Sequence, residues 1–241
     1  MKNFSFPNIR SMFVPDPGYE FFDIDLDSAD LRIVAWESDC KWLKDCFRAG
    51  LKPYVELAKE YYHDPAITKH HKSYPSFKSL CHGTNYLGEA SGVAPRVGLL
   101  VHEVTRIQKW YFNRCPEIKA WQDHIINQVN TRRNISNAWG YRLNILDRVE
   151  QSTYRECVAW IPQSTVGILI NHGYVNIDRN LPAVQVLLQV HDSLAGQFPI
   201  ASAVNYKEEI VKQCSVPVPY SDPLIIPVGI KTSRKSWGEC G

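Results

Sequence analysis

The stretch Phe21-Phe22-Asp23-Ile24-Asp25-Leu26-Asp27-Ser28-Ala29-Asp30-Leu31-Arg32 runs from apolar residues into carboxylates and then directly into a helical pattern. Glu20 to Leu26 reads as a strand. Ser28 to Trp36 reads as a short helix, with Ser28 as its N-cap and Leu31, Val34 and Ala35 at apolar spacing. A second acid has a matching place far downstream, in Val186-Leu187-Leu188-Gln189-Val190-His191-Asp192-Ser193-Leu194. An aspartate at the end of a buried strand is costly to desolvate unless it meets a cation or hydrogen-bond donors. Asp25 and Asp192 together therefore point to a shared divalent-metal site. Two aspartates alone are not specific, and solvated strand ends explain an isolated pair at least as well. Asp23 has the strand parity of Asp25, but solvent or a local cap is the simpler reading for it.

Between the two acids lies Lys78-Ser79-Leu80-Cys81-His82-Gly83-Thr84-Asn85-Tyr86-Leu87-Gly88. Lys78, His82 and Tyr86 follow one another at i, i+4 and i+8, so a helix presents them as one stripe. An ammonium offsets phosphate charge, and rings can shield and stack on a base. The spacing alone fits equally well a solvated Lys beside two rings in ordinary packing.

The composition bounds the alternatives. The 241 residues suffice for one large domain or two smaller ones, and 44% hydrophobic with 22% charged residues implies a packed core. A net charge of +2 neither demands nor excludes nucleic acid, because a local cleft potential can outweigh the total. Seven cysteines with no CxxC pair argue against a disulfide framework or zinc knuckle and read as core or surface thiols in a reducing cytosol. Met1 to Pro7 lacks the apolar run of a signal peptide, and no segment approaches the roughly 20 apolar residues of a membrane span.

Further along, 41–63 reads as helix in two pieces broken near Gly50 and Pro53, and a basic connector, Lys69-His70-His71-Lys72-Ser73-Tyr74-Pro75, precedes a helix that starts near Pro75 and ends by Gly88. Residues 97–113 and 116–129 read as amphipathic helices, and Ala138-Trp139-Gly140 as a hairpin tip. A long helix over 147–171 is expected to be interrupted by Pro162. A hairpin over 184–198 turning at 191–193, a helix over 203–214 and a strand over 224–231 complete the pattern. The order predicts an α+β fold, an antiparallel sheet with a helical insertion.

Carboxylate, basic-aromatic helix, carboxylate: in combination these segments resemble the three motifs of the family A (bacterial polymerase I-like) DNA polymerases, here a palm and fingers portion of phage type. The likeness runs from Pro7-Asn8-Ile9-Arg10 to Pro223-Leu224-Ile225-Ile226-Pro227-Val228-Gly229, and the interval from Asp25 to Lys78 is the one it leads us to expect. It implies a soluble, cytoplasmic enzyme (in the bacterial host if phage-encoded). That enzyme adds dNTPs to the 3′ end of a primer–template DNA with two Mg²⁺ ions, for which Mn²⁺ can stand in.

The resemblance assigns roles residue by residue. Asp25, Leu26 and Asp192 hold the metals, and Asp25, Asp192 and Lys78 are catalytic. Lys78, His82, Tyr86, Asp30 and Tyr74 form the nucleotide site, with Asp30 and Tyr86 as the gate against the ribose 2′-hydroxyl. Arg155, Gln163 and His191 contact primer–template, the first two in the minor groove, where acceptors recur regardless of sequence. Several positions depart from the family. Ser193 replaces a Glu, Tyr74 an Arg, Asp30 a Glu and Ala159 an Asn, His82 replaces a Phe or Tyr, and Tyr54 stands where a phosphate-holding His is usual.

The implied organisation is palm over 1–36, fingers over 37–147 and palm again over 148–241. Thumb and exonuclease, which the family places before the first acid motif, are expected to be absent: the chain is either one half of a split polymerase, with the thumb on another polypeptide, or a truncated product. Two other classes compete: a catalytically silent subunit that binds primer–template, and a metal-dependent phosphohydrolase. An aspartyl-phosphate hydrolase fits the DxDxD pattern poorly, since no Gly-containing loop follows Asp27.

Overall fold

The computed structural model describes residues 8–240; the leader-free reading of Met1 to Pro7 and the Pro7 end of the family likeness lie outside the described residues. In chain order the elements are β1 (Tyr19–Leu26), α1 (Ala29–Glu37), α2 (Lys41–Arg48), α3 (Pro53–Tyr62), α4 (Tyr74–Asn85), α5 (Ala90–Val97), α6 (Val101–Arg114), α7 (Pro116–Arg132), β2 (Asn134–Ser136), β3 (Arg142–Asn144), α8 (Gln151–Asn180), β4 (Gln185–Val190), β5 (Ser193–Pro199), α9 (Tyr206–Cys214) and β6 (Val228–Ser233). The fold class is α+β. Two compact units divide the chain, 1–29 with 165–241 and 30–164, the second boundary falling inside α8.

The first unit is built on a four-stranded antiparallel sheet in the order β4-β5-β1-β6. Alternation along β1 separates two faces. Phe22, Ile24 and Leu26 are buried at 0%, 0% and 2% exposure and form the core side, where Phe22 stacks on Phe198 at 6.2 Å between ring centres. Gly196 on β5 allows this packing, because a Cβ there would stand 2.2 Å from the Gln185 carbonyl and 2.8 Å from the Phe22 ring. Phe21, Asp23 and Asp25 share the opposite face, where Phe21 stacks on Trp237 at 6.2 Å and Ala195 joins them. Along α8 and α9, Gly173 lets the two helices approach: a Cβ there would meet the Cys214 Sγ at 2.9 Å.

The second unit is helical, with the β2–β3 hairpin turning through Asn137 to Tyr141. Its core gathers Leu43, Leu57, Phe77, Leu80, Ile107 and Ile118, all 2% exposed or less. Pro53, Pro75 and Pro116 lie in the first turns of α3, α4 and α7, where their missing N–H costs nothing.

Three expectations are corrected. The helix expected over 97–113 starts four residues later, as α6, because Gly98 at φ +69 ends a separate preceding helix, α5, that the sequence reading did not anticipate. Pro162 does not interrupt α8, which runs through it for 30 residues. Ile161 and Val158 around it are buried at 3% and 0%, so packing holds a turn that propensity alone would break. Ser28 does not adopt the extended conformation of an N-cap; it takes φ +56, and its hydroxyl donates to the Asp27 carboxylate at 3.3 Å. All seven cysteines are free thiols and all but Cys240 are buried. Among the described residues no helix is long and apolar enough to cross a membrane.

Candidate active site

In the sheet-bearing unit, β1 carries Asp25 between two partners, opposite Ser193 on β5 and Gly229 on β6. Directly opposed residues of an antiparallel pair point their side chains to one face. A serine and a glycine on either side therefore leave the space beside the Asp25 carboxylate open. Asp192 directly precedes Ser193 in the two-residue turn that joins β4 to β5, where Val190 pairs with Ser193. The first turn residue, His191, takes φ +54, a left-handed conformation uncommon outside glycine, and the Ser193 hydroxyl closes the turn by donating to the Val190 carbonyl at 2.8 Å.

The result is an open cavity of about 500 Å³ lined by Asp25, Asp192, Asp23, His191, Arg10 and Lys231 together with Gly229 and Ile230 of β6. Asp23 is therefore a wall of this cavity and not a solvated cap. Its side chain is 16% exposed, one carboxylate oxygen lies 3.7 Å from the Arg10 guanidinium, and the other is buried with no hydrogen-bond partner. Arg10 in turn lies over the Trp237 ring at 4.5 Å. Lys231 is the cross-strand neighbour of Asp23. Partial burial, then the charges of Asp192 and Asp23, raise the Asp25 carboxyl above its ordinary pKa; Lys231 counters this and Asp27 adds to it.

That electrostatics tests whether the site suits a divalent ion. Carboxylates held against one another and against burial are relieved by a cation, and an all-oxygen donor set suits a hard one. Among the described residues no group of three or more His, Cys, Asp and Glu side chains forms a metal cage. Mg²⁺ characteristically binds through one or two carboxylates plus water and substrate phosphate, so Asp25 with Asp192 fits it. The Leu26 side chain is in the core, which leaves only its main-chain carbonyl for a metal.

In the helical unit, α4 presents Lys78 exposed, with His82 and Tyr86 half-buried. The His82 and Tyr86 rings meet edge-to-face, 4.8 Å between centres. Burial lowers the His82 pKa; Asp30 opposes this and Lys78 adds to it. Burial and then the Asp30 charge raise the Tyr86 phenol above its ordinary value. Asp30 lies close enough to act on that hydroxyl, which is buried without a formed hydrogen bond. Tyr74 opens α4. Tyr54 is turned inward, 6% exposed, with its hydroxyl accepting from the Asn85 amide at 3.5 Å, so it offers nothing to a phosphate.

Arg155 and Gln163 are exposed on α8 within the helical unit, and His191 is exposed on the hairpin turn of the sheet-bearing unit. The sequence reading missed Arg10 and Lys231 as neighbours of the acid pair, and Trp237 beneath Arg10. The i, i+2 relation of Asp23 to Asp25 was its one signal that the site extends along β1.

This architecture has a counterpart among solved structures. A solved structure described as the POL domain of Pol1 from M. smegmatis in complex with DNA primer-template and dNTP matches it with a TM-score of 0.85, at 21% identity, over 96% of this chain and 42% of that one. The model of DNA polymerase family A matches residues 2–239, and the chain belongs to that family. Relatives include the thermostable DNA polymerase I of Thermus filiformis, 26% identical over 92% of this chain, and the DNA polymerase of Mycobacterium phage D29, 22% identical over 95%. The chain spans only 28% and 37% of the lengths of these two relatives.

Proposed function

We propose that this chain carries the nucleotidyl-transfer centre of a template-directed DNA polymerase, which adds deoxynucleotides from dNTPs to a primer 3′ end. The observation that carries the proposal is the opposition of Asp25 to Ser193, which brings Asp25 and Asp192 to one cavity. We assign the palm to the sheet-bearing unit and the fingers to the helical unit; the sequence bounds 1–36, 37–147 and 148–241 differ from the unit boundaries, which fall after residues 29 and 164.

Asp25, Asp192 and the Leu26 carbonyl would hold two Mg²⁺ ions. When bound, such ions lower the pKa of an attacking hydroxyl and neutralise charge on the transferred phosphate. Lys78 offsets the charge of the incoming triphosphate. The His82 and Tyr86 rings pack against the nucleotide, and Tyr74 stands at the start of the same helix. Asp30 beside Tyr86 crowds the sugar 2′ position and selects deoxyribose. Arg155 and Gln163 contact the minor groove of the primer–template, and His191 supports the primer terminus.

The relatives are about three times as long, so we read the remaining equipment of a polymerase, the duplex-gripping thumb and any exonuclease, as supplied outside these 241 residues, a separate polypeptide being one source. A catalytically silent, primer–template-binding role draws on one observation: buried Tyr54 supplies no phosphate ligand. Primer extension with Mg²⁺ separates the two, and template-free dNTP hydrolysis tests the phosphohydrolase alternative. Template-dependent extension supports the proposal. Binding without extension, also after the missing portion is added in trans, favours the silent role, and hydrolysis without template overturns both.

A further inference from the structure

The end of α4 is held by side chains that no role assigned so far uses. Leu87 takes φ +57, a conformation that costs a β-substituted residue roughly 1–2 kcal/mol. The Gly88 N–H bonds to the Gly83 carbonyl at 2.8 Å and the Leu87 N–H to the Thr84 carbonyl at 3.2 Å, a Schellman motif with leucine where glycine is usual. Gly88 itself admits no side chain, because a Cβ would stand 2.6 Å from the Gly83 carbonyl oxygen. Tyr86 is the residue just before this strained turn.

Two glutamines clamp the turn. Gln122, on α7 and 0% exposed, donates through Nε2 to the Thr84 carbonyl at 2.8 Å and to the Asn85 carbonyl at 2.9 Å. These are carbonyls of the last helical turn, which lack i+4 donors; the Thr84 carbonyl is shared with the Leu87 N–H. Its Oε1 is buried without a partner, so the amide is placed for its donor side alone. Gln108, on α6, donates to the Gly88 carbonyl at 2.7 Å and to the Thr84 hydroxyl at 3.2 Å. Asn85 is tied in turn, its Oδ1 accepting from the Tyr111 hydroxyl at 2.9 Å. A strained residue persists only where its surroundings over-determine it.

We propose that Gln122 and Gln108 are positioning residues: by capping the end of α4 they hold the Leu87 turn and thereby set the Tyr86 ring against His82 and its hydroxyl towards Asp30. The consequence for nucleotide selection rests on the proposed gate role of Tyr86; the positioning itself does not. Gln122→Met keeps the side chain's length, removes both donated bonds and also removes the unpartnered oxygen.

The test compares Gln122→Met and Gln108→Met with the parent chain by amide exchange at Tyr86 to Gly88, by the NMR contact between the His82 and Tyr86 rings, and by dNTP KM and kcat in primer extension. The expected result is exchange at Leu87 and Gly88 faster by about tenfold, a lost or shifted ring contact, and a KM raised more than kcat is lowered. Either glutamine variant with a lower melting temperature but unchanged local exchange and ring contact shows a merely structural role and overturns the proposal. If Gln122→Met does not fold, Gln108→Met decides on the same readouts. Tyr86→Ala with unchanged nucleotide selection would sink the gate role while leaving the positioning to be judged by exchange and ring contact.

Discussion

Asp25 on β1 stands directly opposite Ser193 on β5, so the residue before Ser193, Asp192, lies at the same end of the sheet and borders the same cavity. Burial and its acidic neighbours disfavour the charge on Asp25 there. A central strand position between Ser193 and Gly229 opens the space beside Asp25, and a hairpin turn with His191 at positive φ presents Asp192.

The raised pKa of Asp25 makes it a stability liability. A folded carboxyl that holds its proton above its unfolded pKa binds more protons in the folded state, so stability falls as pH rises through that window. The loss is complete above the folded pKa and absent below the unfolded one. Without metal, Asp25→Asn should therefore raise the melting temperature at neutral pH, with the gain vanishing in acid. Asp23→Asn should lower the Asp25 midpoint by removing one of the charges that raise it, as an NMR titration can read.

A second prediction concerns the pair Asp30 and Tyr86. Asp30→Ala should raise ribonucleotide use relative to deoxynucleotide use by about tenfold or more, or depress both if Asp30 also positions Tyr86. Asp30→Asn should lower the His82 pKa further, since the Asp30 charge is what opposes the effect of burial there. Unchanged sugar preference together with an unchanged His82 midpoint would show that Asp30 acts on neither ring.

Gly196→Ala should destabilise the sheet-bearing unit. The added methyl has no room between the Gln185 carbonyl and the Phe22 ring, and overpacking of this kind costs roughly 1–3 kcal/mol. Urea unfolding with an unchanged midpoint would show that β5 relaxes away from β4 at no cost.

Much of this was legible in the sequence because period and punctuation agreed. The alternation over Phe21 to Leu26 gave β1, and Gly50 with Pro53 gave the break between α2 and α3. Gly92 and Pro95 disguised α5, since both normally argue against a helix. Pro162 misled for the same reason, its cost being outweighed by packing that no local pattern records. Lys231 and Arg10 could not be tied to the acids from sequence, because strand register and a turn closing on Trp237 bring them there. Gln122 was invisible for another reason. A polar residue on the apolar side of α7 has no meaning until the carbonyls it caps are known.

The most direct measurement is single-nucleotide incorporation on a primer–template with Mg²⁺, comparing the parent chain with Asp25→Asn and Asp192→Asn in a preparation where the parent is active. The account predicts that each variant stays folded and binds primer–template, yet loses incorporation by more than about 100-fold, beyond the cost of an outer partner of a metal site. Incorporation within a few-fold of the parent by either variant would contradict the assignment of Asp25 and Asp192 as the metal-holding acids.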